Sequence, residues 1–418
     1  VNSSLLTTNE KLRHHGDFVF PGLLLLVVSA LLAASACFIY RPVPSGVSEP
    51  WKLMLLDACT RFMRTLGTVG HWLGLGSLVN TVSSRMMMAD ARSDADVTVV
   101  DTTLGGLPTR VFVAKSGEKL KRGVLYFHGG GWAYGSGREY RDSRRLPYRL
   151  YPEAVFPAQY NDALAAARAF LSPQVLEDYS MDPGRLGVSG DSAGGNLAAA
   201  VAAVTDGCDS LLSSQTGSDN SLSVKFKVQA LIYPVLQALD FNTPSYVQNQ
   251  NDCILSRPKM VQFWLWYLGG DLSLKPVLIA NNHSSVEEPA VTADIRSRVD
   301  WTSLLPARVT QNFQLVVKEK GTPGVVDKLP GLMDVRAAPL LAESSVLSRA
   351  PKAYVMTCEF DVLRDDGLMY VRRLQDAGVP VTSDYLKDGF HGCISLSSIF
   401  NLGQRSEDSY VHWLQQNL

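Results

Sequence analysis

Short apolar runs alternate along most of this chain with longer stretches that carry apolar residues at helical spacing. The short runs are rich in β-branched residues and end at turn residues, which is typical of buried strands. Strands that alternate with helices predict a mostly parallel central sheet with helices on both faces. The predicted strands are residues 97–100, 110–113, 124–127, 186–188, 228–233, 353–356 and 381–386, and the predicted helices are residues 160–171, 193–204, 365–376 and 407–418.

One long region interrupts this alternation. Residues 239–346 contain clusters of Asn, Gln and Pro, together with the aromatic run of residues 263–267. We expect this region to be a helical cap inserted into an α/β domain. The predicted divisions of the chain are an N-terminal tail (1–17), an apolar segment (18–40), a membrane-proximal helical segment (41–90) and the α/β domain (91–418).

The apolar segment predicts a transmembrane signal anchor. Its 23 residues carry no charge, and at about 1.5 Å per residue they are long enough to cross a hydrocarbon core of ~30 Å. A cleaved signal peptide is the alternative, because residues 34–36, Ala-Ser-Ala, imitate a small-residue cleavage site. The positive-inside rule does not decide the orientation, because the flanking basic residues are balanced: Lys11 and Arg13 before the segment, Arg41 and Lys52 after it.

Composition narrows the classes of function. The 39 basic and 40 acidic residues give a net charge of −1, so no basic surplus is present for nucleic-acid binding. Charged residues make up 19% and hydrophobic residues 46%, which excludes a disordered chain and allows membrane association. The six cysteines form no CxxC pair, so we predict no metal site, and buried free thiols are favoured over one unassigned disulfide.

A GxSxG motif supplies the candidate nucleophile. Residues 186–189 read as an apolar strand, Gly190 to Gly194 form the motif around Ser192, and an alanine-rich helix follows at once. A nucleophile elbow needs this strand-turn-helix context, with small residues on either side so that the serine hydroxyl projects above the sheet. We therefore predict that Ser192 is catalytic; an ordinary glycine-rich turn is the alternative.

An HGGG motif, His128-Gly129-Gly130-Gly131, follows another predicted strand. In such a loop the absence of side chains lets the backbone approach the substrate oxygen. The predicted oxyanion hole consists of these three glycines and Ala193: Gly130, Gly131 and Ala193 donate their N–H groups, and Gly129 permits the turn. The alternative is a phosphate-binding loop, but the Lys-Ser/Thr pair of a P-loop does not follow.

The catalytic histidine is expected after the nucleophile and the acid in the chain. His391 lies in a loop after the predicted strand 381–386, where it could reach the serine. His412 falls in the predicted C-terminal helix and His283 in the cap. We therefore predict that His391 is the general base.

The acid is expected after the preceding strand, 353–356. Asp361 is the predicted acid, and Glu359 is a weaker rival. Asp365 and Asp366 fall where a helix begins, so N-terminal capping is the interpretation preferred for both. In the resulting mechanism His391 deprotonates Ser192, Asp361 holds the imidazole, and an acyl-enzyme forms and is hydrolysed without metal or cofactor.

The cap bears on the substrate. Trp264, Trp266 and Tyr267 predict a cap that shields an apolar site, so the expected partner is a small apolar ester, amide or lipid. Packing of the cap itself explains these aromatic residues equally well.

Together these motifs resemble the hormone-sensitive lipase family of α/β-hydrolases. Within that family the chain is most similar to the arylacetamide deacetylases and neutral cholesterol ester hydrolases. The resemblance implies the α/β-hydrolase fold and a catalytic triad of Ser192, Asp361 and His391. It rests on HGGGW, residues 148–153, GDSAGGN and DGFHG, and, for the narrower group, on the N-terminal apolar segment with residues 232–234, 255–257 and 363–370.

The resemblance also implies a location and a substrate range. Proteins of this group are type II membrane proteins of the endoplasmic reticulum with a lumenal catalytic domain, anchored in membrane lipid by the N-terminal helix. They hydrolyse arylacetamides, esters and lipids. The glycosylation sequon at Asn282 would favour a lumenal domain if it is used, and Asn2 is the rival sequon.

The chain departs from the family pattern at two places. Ala133 stands where the family often has a cysteine after HGGGW. From His128 to Tyr148 there are only twenty residues (148 − 128), and the family places a helix and a central strand there. We expect either a shortened strand around residues 147–150 or a weak or inactive enzyme. A non-catalytic ligand-binding protein on the same fold is the rival function, and a structural membrane protein accounts for neither HGGG nor the elbow.

Overall fold

The computed structural model describes residues 25–72, 93–115, 117, 119–135, 148–205 and 224–418. The chain divides into two compact units. In the first unit a helix, α1, occupies residues 25–39, and α2 extends over Pro50–Trp72. Arg41 and Arg61 both pair with Asp57, at 3.0 and 2.8 Å, and tie α2 to the end of α1.

The predicted apolar segment lies partly outside the described residues, because its first seven positions, 18–24, precede them. Within the described ranges, no helix combines the length and the apolar character needed to cross a membrane. The predicted membrane-proximal helix corresponds to α2, and residues 73–90 of that segment also lie outside the described part.

The second unit contains a five-stranded parallel sheet of order β3-β4-β5-β6-β7. Its strands are apolar and largely buried, as expected where helices cover a parallel sheet. A separate antiparallel hairpin precedes it, formed by β1 (Val97–Leu104) and β2 (Leu107–Ala114). The sheet strands are β3 (Lys121–Phe127), β4 (Met181–Asp191), β5 (Val228–Ile232), β6 (Lys352–Phe360) and β7 (Val381–Phe390).

Helices connect these strands and pack against them, which confirms the predicted parallel α/β architecture. The alanine-rich segments form two neighbouring helices that lie against β3 and β4, and a third helix packs on β6 and β7. The helices outside the cap are α3 (Ala158–Phe170), α4 (Pro173–Asp178), α5 (Ala193–Thr205), α14 (Arg364–Asp376) and α15 (Asn401–Asn417).

The region predicted as a cap lies between β5 and β6 and consists of short helices joined by turns and irregular segments, with no strand in residues 233–351. Its eight α-helices are short, because Pro, Asn and Gly recur through the segment. They are α6 (Pro244–Gln248), α7 (Arg257–Leu268), α8 (Lys275–Ile279), α9 (Ala293–Ser297), α10 (Trp301–Leu304), α11 (Ala307–Thr310), α12 (Val325–Lys328) and α13 (Ser344–Leu347).

The strand before the short interval, β3, lies at the edge of the sheet. This strand pairs with β4 on one side, and no described strand lies on its other side. Val124 and Tyr126 are 36% and 42% exposed, whereas Leu125 and Phe127 on the opposite face are buried. The expectation that a central strand is missing here stays a prediction: β3 ends the five-stranded sheet, the hairpin of β1 and β2 forms a separate sheet, and residues 136–147 lie outside the described part of the chain. Residues 148–150 form no strand, so the shortened substitute is wrong for these three positions; Pro147 lies outside the described residues.

Candidate active site

Ser192 lies at the turn from β4 into α5 with a positive φ of 54°. Such a conformation is strained for a residue with a side chain, so the surrounding contacts must hold it. A Cβ at Gly190 would lie 2.4 Å from the backbone of Gly194, and one at Gly194 would lie 2.0 Å from the Phe127 carbonyl oxygen. Both glycines are therefore required by close packing, and the sharp elbow predicted from GxSxG is present.

The three predicted catalytic side chains form a continuous hydrogen-bonded row. Ser192 Oγ lies 3.0 Å from His391 Nε2, and His391 Nδ1 lies 2.8 Å from Asp361 Oδ2. The other oxygen of Asp361 accepts the N–H of Leu363 at 2.9 Å. Asp361 is fully buried, and Ser192 and His391 are each 7% exposed. This arrangement can move a proton from the hydroxyl to an imidazole whose orientation the carboxylate holds.

The other residues considered for the acid and the base, Glu359, His412 and His283, have different hydrogen-bond partners. Glu359 is paired with Arg364 Nη1 at 2.9 Å and accepts a hydrogen bond from the Tyr385 hydroxyl, and so it does not contact His391. His412 lies on α15 beside Gln416 at 2.9 Å. His283 is fully buried in the cap, with Nε2 3.0 Å from the Ala238 carbonyl oxygen. Sequence order alone left Glu359 open, and packing decides against it.

Asp365 and Asp366 lie in the first turn of α14, as predicted, but neither side chain caps the helix. Leu363 is the N-cap residue of α14, and no side chain caps it. Asp366 instead accepts hydrogen bonds from the backbone N–H groups of Leu236 and Gln237 and from Gln237 Nε2, and burial raises its pKa to about 7. Both carboxyl groups are buried, and they link α14 to the segment after β5.

Asp365 makes the second of these links. Its Oδ2 accepts the N–H of Ser245 at the start of α6, and its Oδ1 accepts Arg364 Nε at 2.9 Å. A buried carboxylate needs such partners, because an unpaired charge in the interior is costly. The two aspartates therefore hold the base of the cap to α14.

The HGGG loop adopts backbone conformations that favour glycine. Gly130 and Gly131 have φ values of 108° and 62°, and a Cβ at Gly131 would lie 2.5 Å from the Phe263 ring of α7. Among the described residues, none accepts a hydrogen bond from the N–H groups of Gly130, Gly131 or Ala193. These three N–H groups are thus free of acceptors in the described part of the chain, and their role as oxyanion donors stays a prediction.

Gly129 has a different role from Gly130, Gly131 and Ala193. Its N–H donates to Asp191 Oδ1 at 2.8 Å, and so it cannot also serve a substrate oxygen. A Cβ at Gly129 would lie 2.3 Å from Asp191 Oδ2. The turn role predicted for Gly129 agrees with this geometry, and its inclusion among the residues of the oxyanion hole is corrected to a structural one.

Asp191 was missed by the sequence reasoning. It is the residue between Gly190 and Ser192, and Oδ1 also accepts the Tyr126 hydroxyl at 2.8 Å. One carboxylate on the elbow therefore connects the nucleophile turn, β3 and the HGGG loop. The sequence does contain one indication of this role: Asp191 is the one charged residue in a motif of Gly, Ser and Ala. A charge at such a buried turn needs a partner, because an unpaired one would be costly.

His128 supports the loop from the opposite side. Its ring stacks on Tyr148 with a centroid distance of 4.6 Å, and the Tyr148 hydroxyl donates to the His128 carbonyl oxygen at 2.8 Å. Burial lowers the pKa of His128, which favours the neutral form of the ring. Arg149, the next residue, pairs with Asp162 of α3 at 2.8 Å. Tyr148 and Arg149, which follow the short interval, thus bind the HGGG loop and α3 respectively.

The cap aromatic residues divide into two groups. Trp264 and Tyr267 are fully buried and pack on Trp132 of the HGGGW segment, with Tyr267 stacked at 4.0 Å. Trp266 is only partly buried and stacks on Tyr151 at 5.2 Å. Packing therefore accounts for Trp264 and Tyr267, which hold α7 against the oxyanion loop.

Asn282 lies in the 3₁₀ turn Asn282–Ser284 and is partly buried. Its side-chain oxygen accepts Lys318 Nζ at 2.8 Å. Glycosylation there stays a prediction. In the described ranges no three His, Cys, Asp or Glu side chains converge as metal ligands would.

Known proteins share this sequence and fold. Residues 124–293 and 325–395 match a family described as having the alpha/beta hydrolase fold. Neutral cholesterol ester hydrolase 1 of Bos taurus is 46% identical over 415 residues, covering 94% of this chain and 99% of that protein. Arylacetamide deacetylase of Bos taurus is 41% identical over 411 residues, with 94% and 98% covered.

Among solved structures, an esterase of Rhizomucor miehei aligns with a TM-score of 0.56 at 25% identity, covering 82% of this chain and 90% of that one. The matched segments contain the HGGG loop, Ser192, Asp361 and His391. The chain therefore belongs to the α/β-hydrolase family, in the group that includes neutral cholesterol ester hydrolase 1 and arylacetamide deacetylase.

Proposed function

We propose that this protein is a membrane-anchored serine hydrolase that cleaves carboxylic esters or aryl amides of apolar substrates through an acyl-enzyme. One observation carries the proposal: Asp361, His391 and Ser192 form a hydrogen-bonded row, and the N–H groups of the predicted oxyanion hole have no acceptor among the described residues. The names of the relatives, a cholesterol ester hydrolase and an arylacetamide deacetylase, support a carboxylesterase-type reaction on apolar compounds.

The geometry assigns a part to each group. His391 Nε2 accepts the proton of Ser192 Oγ as that oxygen attacks the acyl carbonyl carbon, and Asp361 stabilises the imidazolium through Nδ1. The negative charge on the carbonyl oxygen is met by the N–H groups of Gly130, Gly131 and Ala193. His391 then protonates the departing alcohol or amine, and the same residues activate water for deacylation.

A weak or inactive enzyme is the second candidate, and the open edge of β3 favours it. This strand leads directly into the HGGG loop, so its mobility would displace the oxyanion donors. Against this, Asp191 binds Gly129 and Tyr126, and Tyr148 binds His128. These contacts hold the loop without a neighbouring strand. A non-catalytic ligand-binding protein has no need of the intact row from Asp361 to Ser192.

The anchor and the location form a separate part of the proposal. We propose that residues 18–40 insert into the endoplasmic reticulum membrane with the catalytic domain in the lumen. The described part of this segment supports insertion, because α1 exposes Leu25, Leu26, Leu31 and Leu32 by 62–69%. Exposed apolar side chains at this density are unusual on a soluble surface.

Catalysis is tested with a fluorophosphonate probe, which reacts with activated serines. We expect labelling of the full-length protein that Ser192→Ala abolishes. Turnover is then compared over p-nitrophenyl esters of increasing acyl length, an aryl acetamide and a cholesteryl ester. Labelling that persists in Ser192→Ala would reject this nucleophile, and no labelling of a correctly folded protein would favour the inactive candidate.

Topology is tested in intact microsomes. We expect the catalytic domain to resist added protease until detergent opens the vesicles, and Asn282→Gln to remove any sensitivity to endoglycosidase. Digestion of the domain without detergent would reverse the proposed orientation.

A further inference from the structure

Two buried cysteines lie next to the acid and the histidine of the site. Cys358 is on β6, three residues before Asp361, and Cys393 follows His391 by two residues. Their sulfur atoms are 3.9 Å apart, and both residues are fully buried. A Cβ at Gly389 would lie 2.9 Å from Cys358 Sγ, so a glycine at that position is what lets the two segments approach.

The other cysteines in the described part of the chain are in different settings. Cys37 and Cys59 are exposed, and Cys253 is half-buried with its sulfur 3.8 Å from Asp252 Oδ1. The pair is therefore distinguished by sulfur contact and by burial together. A disulfide has an S–S distance of about 2.05 Å, so bond formation requires a closing movement of roughly 2 Å.

We propose that Cys358 and Cys393 are joined by a disulfide bond in the mature protein. A thiolate of one cysteine attacks a disulfide donor, such as glutathione disulfide, and releases one donor thiol. The second cysteine attacks the mixed disulfide and releases the other. Overall, two protein thiols are oxidised, and the donor is reduced to two thiols that carry the two protons.

The environment indicates when the bond forms. The hydrogen bond with Cys393 and burial raise the pKa of the Cys358 thiol well above its usual value. Only the thiolate is a nucleophile, and neither sulfur is reachable by a donor in the folded protein. The bond is therefore made during folding, and the same burial protects it afterwards.

The bond would connect the two segments that position the general base. Asp361 and His391 are held together by one 2.8 Å hydrogen bond, and residues 391–400 contain only turns and the short 3₁₀ helix Ile394–Leu396. A covalent link at Cys393 restricts this loop, and it closes a chain segment of 35 residues in the unfolded state. Its value for catalysis rests on the proposed function; its existence does not.

The test uses the full chain made in a secretory pathway and alkylated with iodoacetamide under denaturing conditions without reductant. Peptide mass mapping is expected to show Cys358 linked to Cys393 and alkylated Cys253. Reduction under denaturing conditions, followed by refolding with the reductant present, is expected to lower the melting temperature by about 5–10 °C. Cys253→Ala should respond to the reductant like the parent protein, whereas Cys358→Ala and Cys393→Ala should not respond.

Quantitative alkylation of both Cys358 and Cys393 before reduction, including after refolding with glutathione disulfide, would overturn the proposal. A linkage of either cysteine to a different partner would overturn it as well. Labelling of Ser192 by the fluorophosphonate is measured on the same samples. A linked peptide without labelling would refute the proposed function alone, and labelling with two free thiols would refute the bridge alone.

Discussion

The two sides of the central sheet differ in what they contribute to the site. From β4 to β6 each strand is paired on both sides, β7 ends the sheet beside β6, and the loops after β4, β6 and β7 carry Ser192, Asp361 and His391. At the other side, β3 ends the sheet with one exposed face. This strand contributes only backbone N–H groups to the site. The short interval can therefore affect catalysis through the position of the HGGG loop, and it leaves the triad geometry untouched.

The largest effect is expected from substitutions in the catalytic triad, which the loops after β4, β6 and β7 carry. His391→Ala and Asp361→Asn should each lower kcat/KM by roughly 10³-fold or more, because the proton transfer and the imidazole orientation are lost. His412→Ala is the matched control and should retain parental turnover. Full activity of Asp361→Asn in ester hydrolysis assays would return the acid role to Glu359.

The next largest effect is expected at Asp191, which connects the nucleophile turn to β3 and to the HGGG loop. Asp191→Ala removes the acceptor for Gly129 N–H and the Tyr126 hydroxyl, so the oxyanion donors should shift and kcat should fall by about 10- to 100-fold. Asp191→Asn keeps a side-chain oxygen and should retain most of the activity. Steady-state kinetics on a p-nitrophenyl ester measure both variants. Equal kcat in the alanine variant and the parent would show that the loop is held elsewhere.

A smaller effect is expected from adding a strand at the edge of the sheet beside β3. A helix and strand of the family type, inserted between Tyr140 and Tyr148, should cover β3 and raise the melting temperature by several degrees, with at most a modest rise in rate. Insertion of a flexible linker of equal length is the control. If melting temperature and rate both equal those of the parent, this sheet does not need the additional strand.

The smallest effect is expected in the cap, away from both sides. Burial lowers the pKa of His283 to about 4, whereas the unfolded chain binds a proton near pH 6.5. The unfolded state therefore binds more protons between these values, and this residue's contribution to stability is lost as pH falls from 6.5 to 4, by up to about 3 kcal/mol. His283→Gln should flatten this part of the profile in thermal unfolding, and an unchanged profile would assign acid sensitivity to other groups.

Much of the site could be predicted, because its chemistry depends on local motifs. The GxSxG elbow specifies a strand-turn-helix by itself, and HGGG specifies a loop without side chains. The order of nucleophile, acid and histidine led to Asp361 and His391. The acid was harder, because Glu359 and Asp361 follow the same strand two residues apart, and only packing shows that Glu359 is paired with Arg364.

Contacts between distant segments lay beyond such reasoning. Asp191 reaches Gly129 across 62 positions, and Asp366 reaches Leu236 across 130, so neither bond has a local signal. The same holds for Cys358 and Cys393, whose proximity depends on the bulged pairing of β6 with β7.

What the sequence by itself determined is the class of fold and the identity of the reacting groups, because hydrophobic periodicity and small-residue motifs act over a few neighbouring residues. Only the tertiary structure decided what flanks β3. The strands of the sheet follow one another in chain order, β3-β4-β5-β6-β7, so among the described strands β3 pairs with β4 alone, and the short interval after HGGG begins at that edge. An exposed edge keeps its polar groups in water, whereas an interior gap would bury them unpaired.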